Sequence, residues 1–249
     1  MKTTFIFLIC LVYSFTRAQV DFAAPIMHAG IAAQTASVSV PAPYAWYKLD
    51  GNALDVEGLN NGTLEGSPTF VSGLNGHQAI SLNGINQDVN VGPLSSNLFN
   101  STSFSGSLWC FNTNLPPNTG SYLNQQQMLN IGQDNAFGLI ADSDHAEWSF
   151  YTKGATGTYL GPLSGQDYSN SSWHFVAGTF NGTTMTIMVD GQIVSISSTT
   201  PSASYFNAGF IGQFGQGNRW WTGEIQDVRV WTNSLTTAQM TAVYQAGAQ

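Results

Sequence analysis

The sequence predicts an all-β, antiparallel sandwich or barrel, and three observations lead there. Over Thr184–Val189 the residues alternate with period two, with Met185, Ile187 and Val189 on one face and Thr184, Thr186 and Met188 on the other, which suits a strand with one buried side. Asp190-Gly191 follows at once and Ile193 resumes the alternation, so a two-residue turn with positive φ closes a hairpin. Short runs of this kind recur at spacings of about ten residues with Gly-rich turns between them, the pattern of a sandwich or barrel rather than of a parallel sheet with crossover helices.

Taken in order, the chain opens with Lys2, an apolar run from Phe5 to Tyr13, and then Thr16, Arg17 and Ala18. This predicts a signal peptide over 1–18, cut after Ala18, and a secreted product. The run is shorter than the roughly 20 residues that cross a bilayer, and no later segment is longer, so no membrane insertion is expected. Residues 19–43 are Ala, Ser and Pro rich, end in Pro41-Ala42-Pro43 and read as a linker or extended arm. Regular structure is expected across 44–249. Tyr47 and Leu49 alternate with Trp46 and Lys48; a turn-rich stretch runs from Asp50 to Gly62; short strands follow near Thr63–Glu65, at Ile80 and Leu82, and at Val89 and Val91. Phe104–Phe111, Met128–Ile131, Phe137–Ala141, Trp148–Tyr151 and Trp173–Phe180 continue the series. Only the tail differs: Thr236 and Gln239 have the spacing of a capping box and Met240, Val243 and Tyr244 share a face, which predicts a short terminal helix.

The formal net charge is −8, and once 1–18 are removed the only fixed cations are Lys48, Lys153, Arg219 and Arg229. Four scattered cations cannot neutralise a phosphate backbone, which excludes nucleic acid as a partner. Cys110 is then the sole cysteine and sits in a strand-like run, so it reads as a small buried apolar residue, and stability must come from the core. Sequons at Asn61, Asn100, Asn170 and Asn181 lie beside turn residues and mark candidate glycosylated loops.

Three groups of residues together resemble a known family. They are Tyr47-Lys48-Leu49-Asp50-Gly51-Asn52-Ala53-Leu54-Asp55 with Asn61-Gly62-Thr63-Leu64 and Gly76 to Gly84; Trp173 to Phe180 with Val189-Asp190-Gly191; and Phe210-Ile211-Gly212 with Gly223 to Trp231 and Leu235-Thr236. In order and spacing the set resembles laminin-G-like, concanavalin-A-like jelly-roll domains across nearly all of Tyr44 to Tyr244. The resemblance implies two antiparallel sheets packed face to face, with the first and last strands adjacent. The patterning agrees, since one residue set in each strand is bulky and the other is Ser, Thr, Asn and Gln. Ile225, Val228 and Val230 cannot share one face of a regular strand, which predicts a β-bulge near Gln226 and Asp227.

Members of this family often bind calcium and often recognise glycans or glycoproteins. The resemblance implies that Asp50, Asp55 and Asp227 lie near one another, as a candidate set for one structural Ca2+ completed by Asn, backbone carbonyl and water oxygens. Read without it, Asp50 and Asp55 are turn residues and Asp227 pairs with Arg229 or a backbone amide. For sugar binding, flat rings beside amides are required. Trp220 and Trp221 are consecutive, so in an extended segment one ring faces the core and the other faces out. Asn218 and Arg219 adjoin the pair, and the loop from Asn112 to Gln127, with Asn114, Asn118, Tyr122 and Gln125 to Gln127, supplies the opposite wall. Sugar-cleaving members use carboxylates alternating along one strand, but Glu224 is followed two residues on by Gln226, and Glu57, Glu65 and Glu147 are isolated. The histidines lack zinc spacing and no nucleophile elbow occurs. The leading expectation is a non-enzymatic, secreted binding or adhesion module for an extracellular glycan or glycoprotein. The alternatives are a glycan-active enzyme using Glu147 with Asp144, and a structural matrix component.

Overall fold

The computed structural model describes residues 38–94, 103–114, 125–132, 137–143, 145–153, 159–167, 171–197, 208–215 and 219–249. The chain divides into Met1–Ser37, which lies outside the described residues together with the expected signal peptide and most of the arm, and Val38–Gln249, which holds every element below. Asn100, Asn118, Tyr122, Asp144, Asn170 and Asn218 also lie outside the described residues.

The described residues form two eight-stranded antiparallel sheets. The first contains β1 (Ala45–Tyr47), β3 (Thr69–Ser72), β4 (Gln78–Asn83), β6 (Phe104–Asn112), β12 (Trp173–Phe180), β13 (Thr184–Val189), β14 (Gln192–Ser197) and β16 (Thr222–Trp231), ordered β14-β13-β12-β6-β16-β4-β3 with β1 also on β16. The second contains β2 (Thr63–Glu65), β5 (Asp88–Asn90), β7 (Gln126–Ile131), β8 (Phe137–Asp142), β9 (Glu147–Lys153), β10 (Tyr159–Leu160), β11 (Leu163–Asp167) and β15 (Gly209–Ile211), ordered β10-β9-β8-β7-β15-β5-β2 with β11 on β9. This is the expected two-sheet sandwich. Helix α1 (Thr237–Ala246) closes the chain with the expected capping box: Thr236 Oγ1 accepts Gln239 N and Gln239 Oε1 accepts Thr236 N. Such a cap is worth about 1 kcal/mol.

The alternation read in the sequence explains the layers. Met185, Ile187 and Val189 enter the core between the sheets, together with Leu108, Val176, Leu129, Phe150 and Ile225. Phe104 of the first sheet stacks on Phe137 of the second at 4.7 Å between centroids. Cys110 is buried there, and burial pushes its thiol well above the usual range. Gly178 is required at its place, because a Cβ would come within 2.2 Å of the Phe150 ring. At the β13–β14 hairpin Asp190 and Gly191 have φ of 48° and 85°, the signs of a type I′ turn, and Val189 pairs with Gln192.

Met188 points away from this core and is nonetheless buried, in a second cluster with Phe175, Ala177, Trp231, Leu235, Met240 and Val243 where α1 packs on the outer face of the first sheet. The end of the stretch read as an arm joins it. Val40 packs on the cluster, Trp231 Nε1 donates to Pro41 O at 2.9 Å, and Gln239 Nε2 donates to Ser39 O at 3.0 Å.

The first and last strands are neighbours, with Tyr47 opposite Val228 and Ala45 opposite Val230. The bulge falls where it was expected. The β6–β16 register shifts between Gln226 and Arg229, and Asp227 has φ of 55°. One edge of β16 pairs with β4 before the bulge and with β1 after it. No alternation marks β3, β10 and β11, where Thr69, Ser72, Ser164 and Gly165 interrupt it. The strand read through Leu49 stops at Tyr47, because Leu49 takes φ of 58°.

Candidate functional site

The three aspartates expected to hold calcium do not form one ligand set. Asp55 Oδ1 accepts the N–H groups of Trp46 and Glu57, at 2.9 and 3.1 Å, and its Oδ2 accepts those of Leu59 and Asn60, at 3.3 and 3.0 Å. Asp227 Oδ1 accepts Trp46 Nε1 at 2.6 Å and Arg229 Nε at 2.9 Å; its Oδ2 accepts Arg229 Nη2 at 2.9 Å and Gln249 N at 3.2 Å. Asp50 accepts Gln78 N at 2.8 Å and lies 3.0 Å from His77 Nδ1, and these bonds, the backbone one foremost, hold its carboxyl below the usual range. Trp46 links Asp55 and Asp227, while Asp50 is engaged elsewhere. Calcium takes about six to eight oxygens with lone pairs to give, and here the lone pairs of Asp55 and Asp227 are committed to protein donors. No group of three or more His, Cys, Asp or Glu among the described residues is arranged for a metal. The residues do not fit the ion; a guanidinium stands where it was expected, stacked 4.4 Å over the Trp46 ring.

The tryptophan pair divides as an extended segment requires. Trp221 is fully buried, 6.2 Å from Trp148, so it is a core residue and not a ligand platform; Trp220 is half-buried at the surface. The segment carrying them is fastened to the loop read as the opposite wall. Gln127 N donates to Arg219 O at 2.9 Å and Thr222 N to Gln126 Oε1 at 3.2 Å, while Trp221 N donates to Gly212 O, beyond that loop, at 2.8 Å. Gln126 also accepts Asn112 Nδ2 and donates to Asn114 O. The Arg219 guanidinium lies 4.7 Å over the Phe214 ring. Trp220 therefore lies in a segment whose neighbours are fastened to amides, which form a rim beside it.

The rim leads onto the outer face of the second sheet, which sequence reading missed. Val89, Leu129, Ile131 and Ile211 point into the core, so alternation turns Asp88, Asn90, Asn130 and Phe210 outward. Tyr151 Oη donates to Gln127 Oε1 at 2.8 Å, and Gln127 Nε2 donates to the Leu129 carbonyl. Gln213 Nε2 donates to Asp88 Oδ2 at 2.5 Å. Asp88 Oδ1, Gln213 Oε1 and Asn130 Oδ1 are shielded acceptors with no hydrogen-bond partner among the described residues. Burial raises the Asp88 carboxyl to about 6, against a smaller lowering by Gln213. The signal was present in Asp88-Val89-Asn90, where two polar residues flank a core valine, but outward polar residues are ordinary and only the missing partners distinguish these.

Glu147, the fallback catalytic residue, accepts Gly165 N at 2.7 Å. Its cross-strand partner is Asp142, which accepts Gln125 Nε2 at 3.2 Å. Trp148 turns inward and offers Glu147 no surface ring. His174 is held locally: Nδ1 lies 2.6 Å from Asp190 Oδ2, Nε2 lies 3.0 Å from Ser172 Oγ, and Asp190 Oδ1 accepts Phe175 N, which ties the hairpin turn to β12. Of the sequon asparagines, Asn61 and Asn181 are exposed and both accept backbone N–H groups through Oδ1.

With this geometry in view, a family model described as the concanavalin A-like lectin/glucanases superfamily matches residues 83–241. The chain belongs to this superfamily. No curated protein matches it. Among solved structures, domain 4 of an extracellular arabinanase from Geobacillus stearothermophilus, in complex with arabinotriose, is similar at a TM-score of 0.62 and 20% identity, over 85% of this chain and 100% of that one. The receptor-binding domain of a botulinum neurotoxin C/D mosaic serotype matches at 0.63 and 18% identity, over 82% of this chain and 51% of that one. A Trypanosoma rangeli sialidase matches at 0.61 and 15% identity, over 85% and 34%. The chain thus spans about half of the neurotoxin domain and a third of the sialidase. At these identities the likeness shows the concanavalin A-like fold.

Proposed function

We propose that this concanavalin A-like domain is a secreted binding module for an extracellular glycan or glycoprotein, and that ligand meets the rim around Trp220 and the adjoining polar face of the second sheet. The observation that carries this reading is a half-buried tryptophan in a segment fastened by hydrogen-bonded amides, next to a polar sheet face. A sugar ring has an apolar C–H face for the indole and hydroxyls for the amides of the rim. The arabinotriose bound in the arabinanase structure supports carbohydrate as the ligand class. Binding needs no catalytic step, and the committed lone pairs of Asp55 and Asp227 favour recognition without calcium.

A glycan array probed with the protein and with Trp220→Ala tests it. The parent is expected to retain at least one glycan and the variant to lose it by tenfold or more; equal retention by both, or none by the parent, removes the rim as the site. The second reading, glycan cleavage, is favoured by one observation, the placement of Asp142 opposite Glu147. It requires reducing ends to be released from polysaccharide by the parent and not by Glu147→Gln.

A further inference from the structure

His174 is the middle of a chain of three side chains that the binding role leaves unused. Its Nε2 lies 3.0 Å from Ser172 Oγ and its Nδ1 lies 2.6 Å from Asp190 Oδ2. A carboxylate only accepts, so in the neutral ring the proton sits on Nδ1 and the Nε2 lone pair faces the Ser172 hydroxyl. Nucleophile, base and the group that orients the base stand in that order, an arrangement recognised by geometry and not by place in the chain.

The hairpin does not rely on the imidazole. Two bonds that bypass it already tie the turn to β12, from Asp190 N to Phe175 O at 3.0 Å and from Phe175 N to Asp190 Oδ1 at 2.8 Å. The second also fixes the carboxylate and leaves its other oxygen to His174. The Trp148 ring lies 5.5 Å from the imidazole, and the His174 side chain is 12% exposed, so the base is held in one place. Ser172, in contrast, is exposed at the head of β12, open to an incoming acyl group. Phe175 turns both of its backbone polar groups toward Asp190, and Trp173, two residues earlier, turns its N–H to the same edge. The β12–β13 register begins only at Val176, so that N–H has no strand partner. It belongs to the residue after the serine, a position from which acyl-transfer sites draw an oxyanion donor.

We infer that Ser172 and His174 hydrolyse carboxylic esters presented at the molecular surface, with Asp190 as the positioning residue. Ser172 Oγ bonds to the acyl carbon as its proton passes to His174 Nε2, and the Trp173 N–H donates to the oxyanion. The bond from that carbon to the alkoxy oxygen then breaks, and the alcohol leaves with the proton. Water attacks the acyl-serine by way of the same base, which releases the carboxylic acid and restores the hydroxyl. Losing an oxyanion donor costs about 10²–10³-fold in rate, so a site resting on this one suits an ester, with its ready alcohol leaving group, rather than a peptide bond. The activity shares no residue with the Trp220 rim and stands whether or not a glycan binds there.

The test is hydrolysis of p-nitrophenyl acetate by the full chain and by Ser172→Ala, Asp190→Asn and Asn170→Gln, each checked for an unchanged thermal melt, with mass mapping of the parent after treatment with a fluorophosphonate. Ser172→Ala is expected to lower kcat by about a hundredfold or more. Asp190→Asn keeps an acceptor for Phe175 N and suits the type I′ turn but favours the wrong tautomer of His174, so kcat is expected to fall tenfold or more at unchanged KM. Asn170→Gln removes the sequon that Ser172→Ala also removes, and is expected to keep the parent rate. The fluorophosphonate is expected on Ser172, and should a variant fail to fold, that labelling decides the matter. No turnover by the parent, turnover that survives in Ser172→Ala, no label on Ser172, or a loss shared by Asn170→Gln overturns the inference. An unchanged kcat in Asp190→Asn overturns the role of Asp190.

Discussion

Asp227 and Asp88 are both buried carboxylates, one on each sheet, and the molecule treats them in opposite ways. Asp227 is 3% exposed and accepts four hydrogen bonds, two of them from the guanidinium of Arg229. Asp88 is fully buried, accepts one from Gln213, and keeps one oxygen without a partner among the described residues. A buried charge met by matched donors holds structure together, whereas one left short of donors is held toward its neutral form and costs stability. The first arrangement ties strand to strand. The second has bonding capacity left for something else.

The comparison breaks most visibly at Asp227. Asp227→Ala strands Arg229 against Trp46 and is expected to cost about 3–5 kcal/mol in urea unfolding; a loss under about 1 kcal/mol would show that the clasp is incidental. Trp46→Phe keeps a ring beneath the guanidinium and removes one charge-assisted bond, for an expected loss of about 1.5–3 kcal/mol by the same measurement. Equal losses from the two variants would mean that the guanidinium adds nothing beyond the indole.

Asp88 is expected to respond with the opposite sign. Its folded value of about 6 lies above the ordinary 3.8, so across that window the native chain holds a proton that the unfolded chain has released. The stability this contributes is present below the ordinary value and is lost as pH rises to about 6. Asp88→Asn should remove that slope and melt higher than the parent at pH 7. The difference between variant and parent isolates Asp88 from Asp50, whose lowered carboxyl acts oppositely, adding stability that is lost as pH falls. A parallel pair of pH profiles would mean that Asp88 has a partner in solution. The smallest effect concerns the ion: with Asp55 and Asp227 saturated by protein donors, the melting temperature should not change between millimolar calcium and chelator, and a rise with calcium would mean that the clasp opens to admit it.

How far the sequence foretold this depends on the range of the interactions. Period-two alternation and the Asp190-Gly191 pair are local signals, and they located most strands, the hairpin, the bulge at Gln226–Asp227 and the capped helix. Trp220 and Trp221 were legible as a pair with one ring in and one out, but which ring went where depended on Trp148, 73 positions away from Trp221. Asp50, Asp55 and Asp227 show the limit most clearly. Asp55 and Asp227 share Trp46 as a donor, and whether a carboxylate has lone pairs to spare depends on donors such as Trp46 Nε1 and Arg229, which no spacing rule assigns. That Asp88 Oδ1 has no hydrogen-bond partner among the described residues was invisible for the same reason. An unsatisfied atom is a property of the packed molecule.

Helix α1 has a consequence of its own. Met240 and Val243 are the cover for Phe175, Ala177, Met188 and Trp231, so an exopeptidase that trimmed the tail past Leu235 would strip the greasy side of a sheet bare. Chains without α1 would present that apolar face and clump rather than stay dispersed.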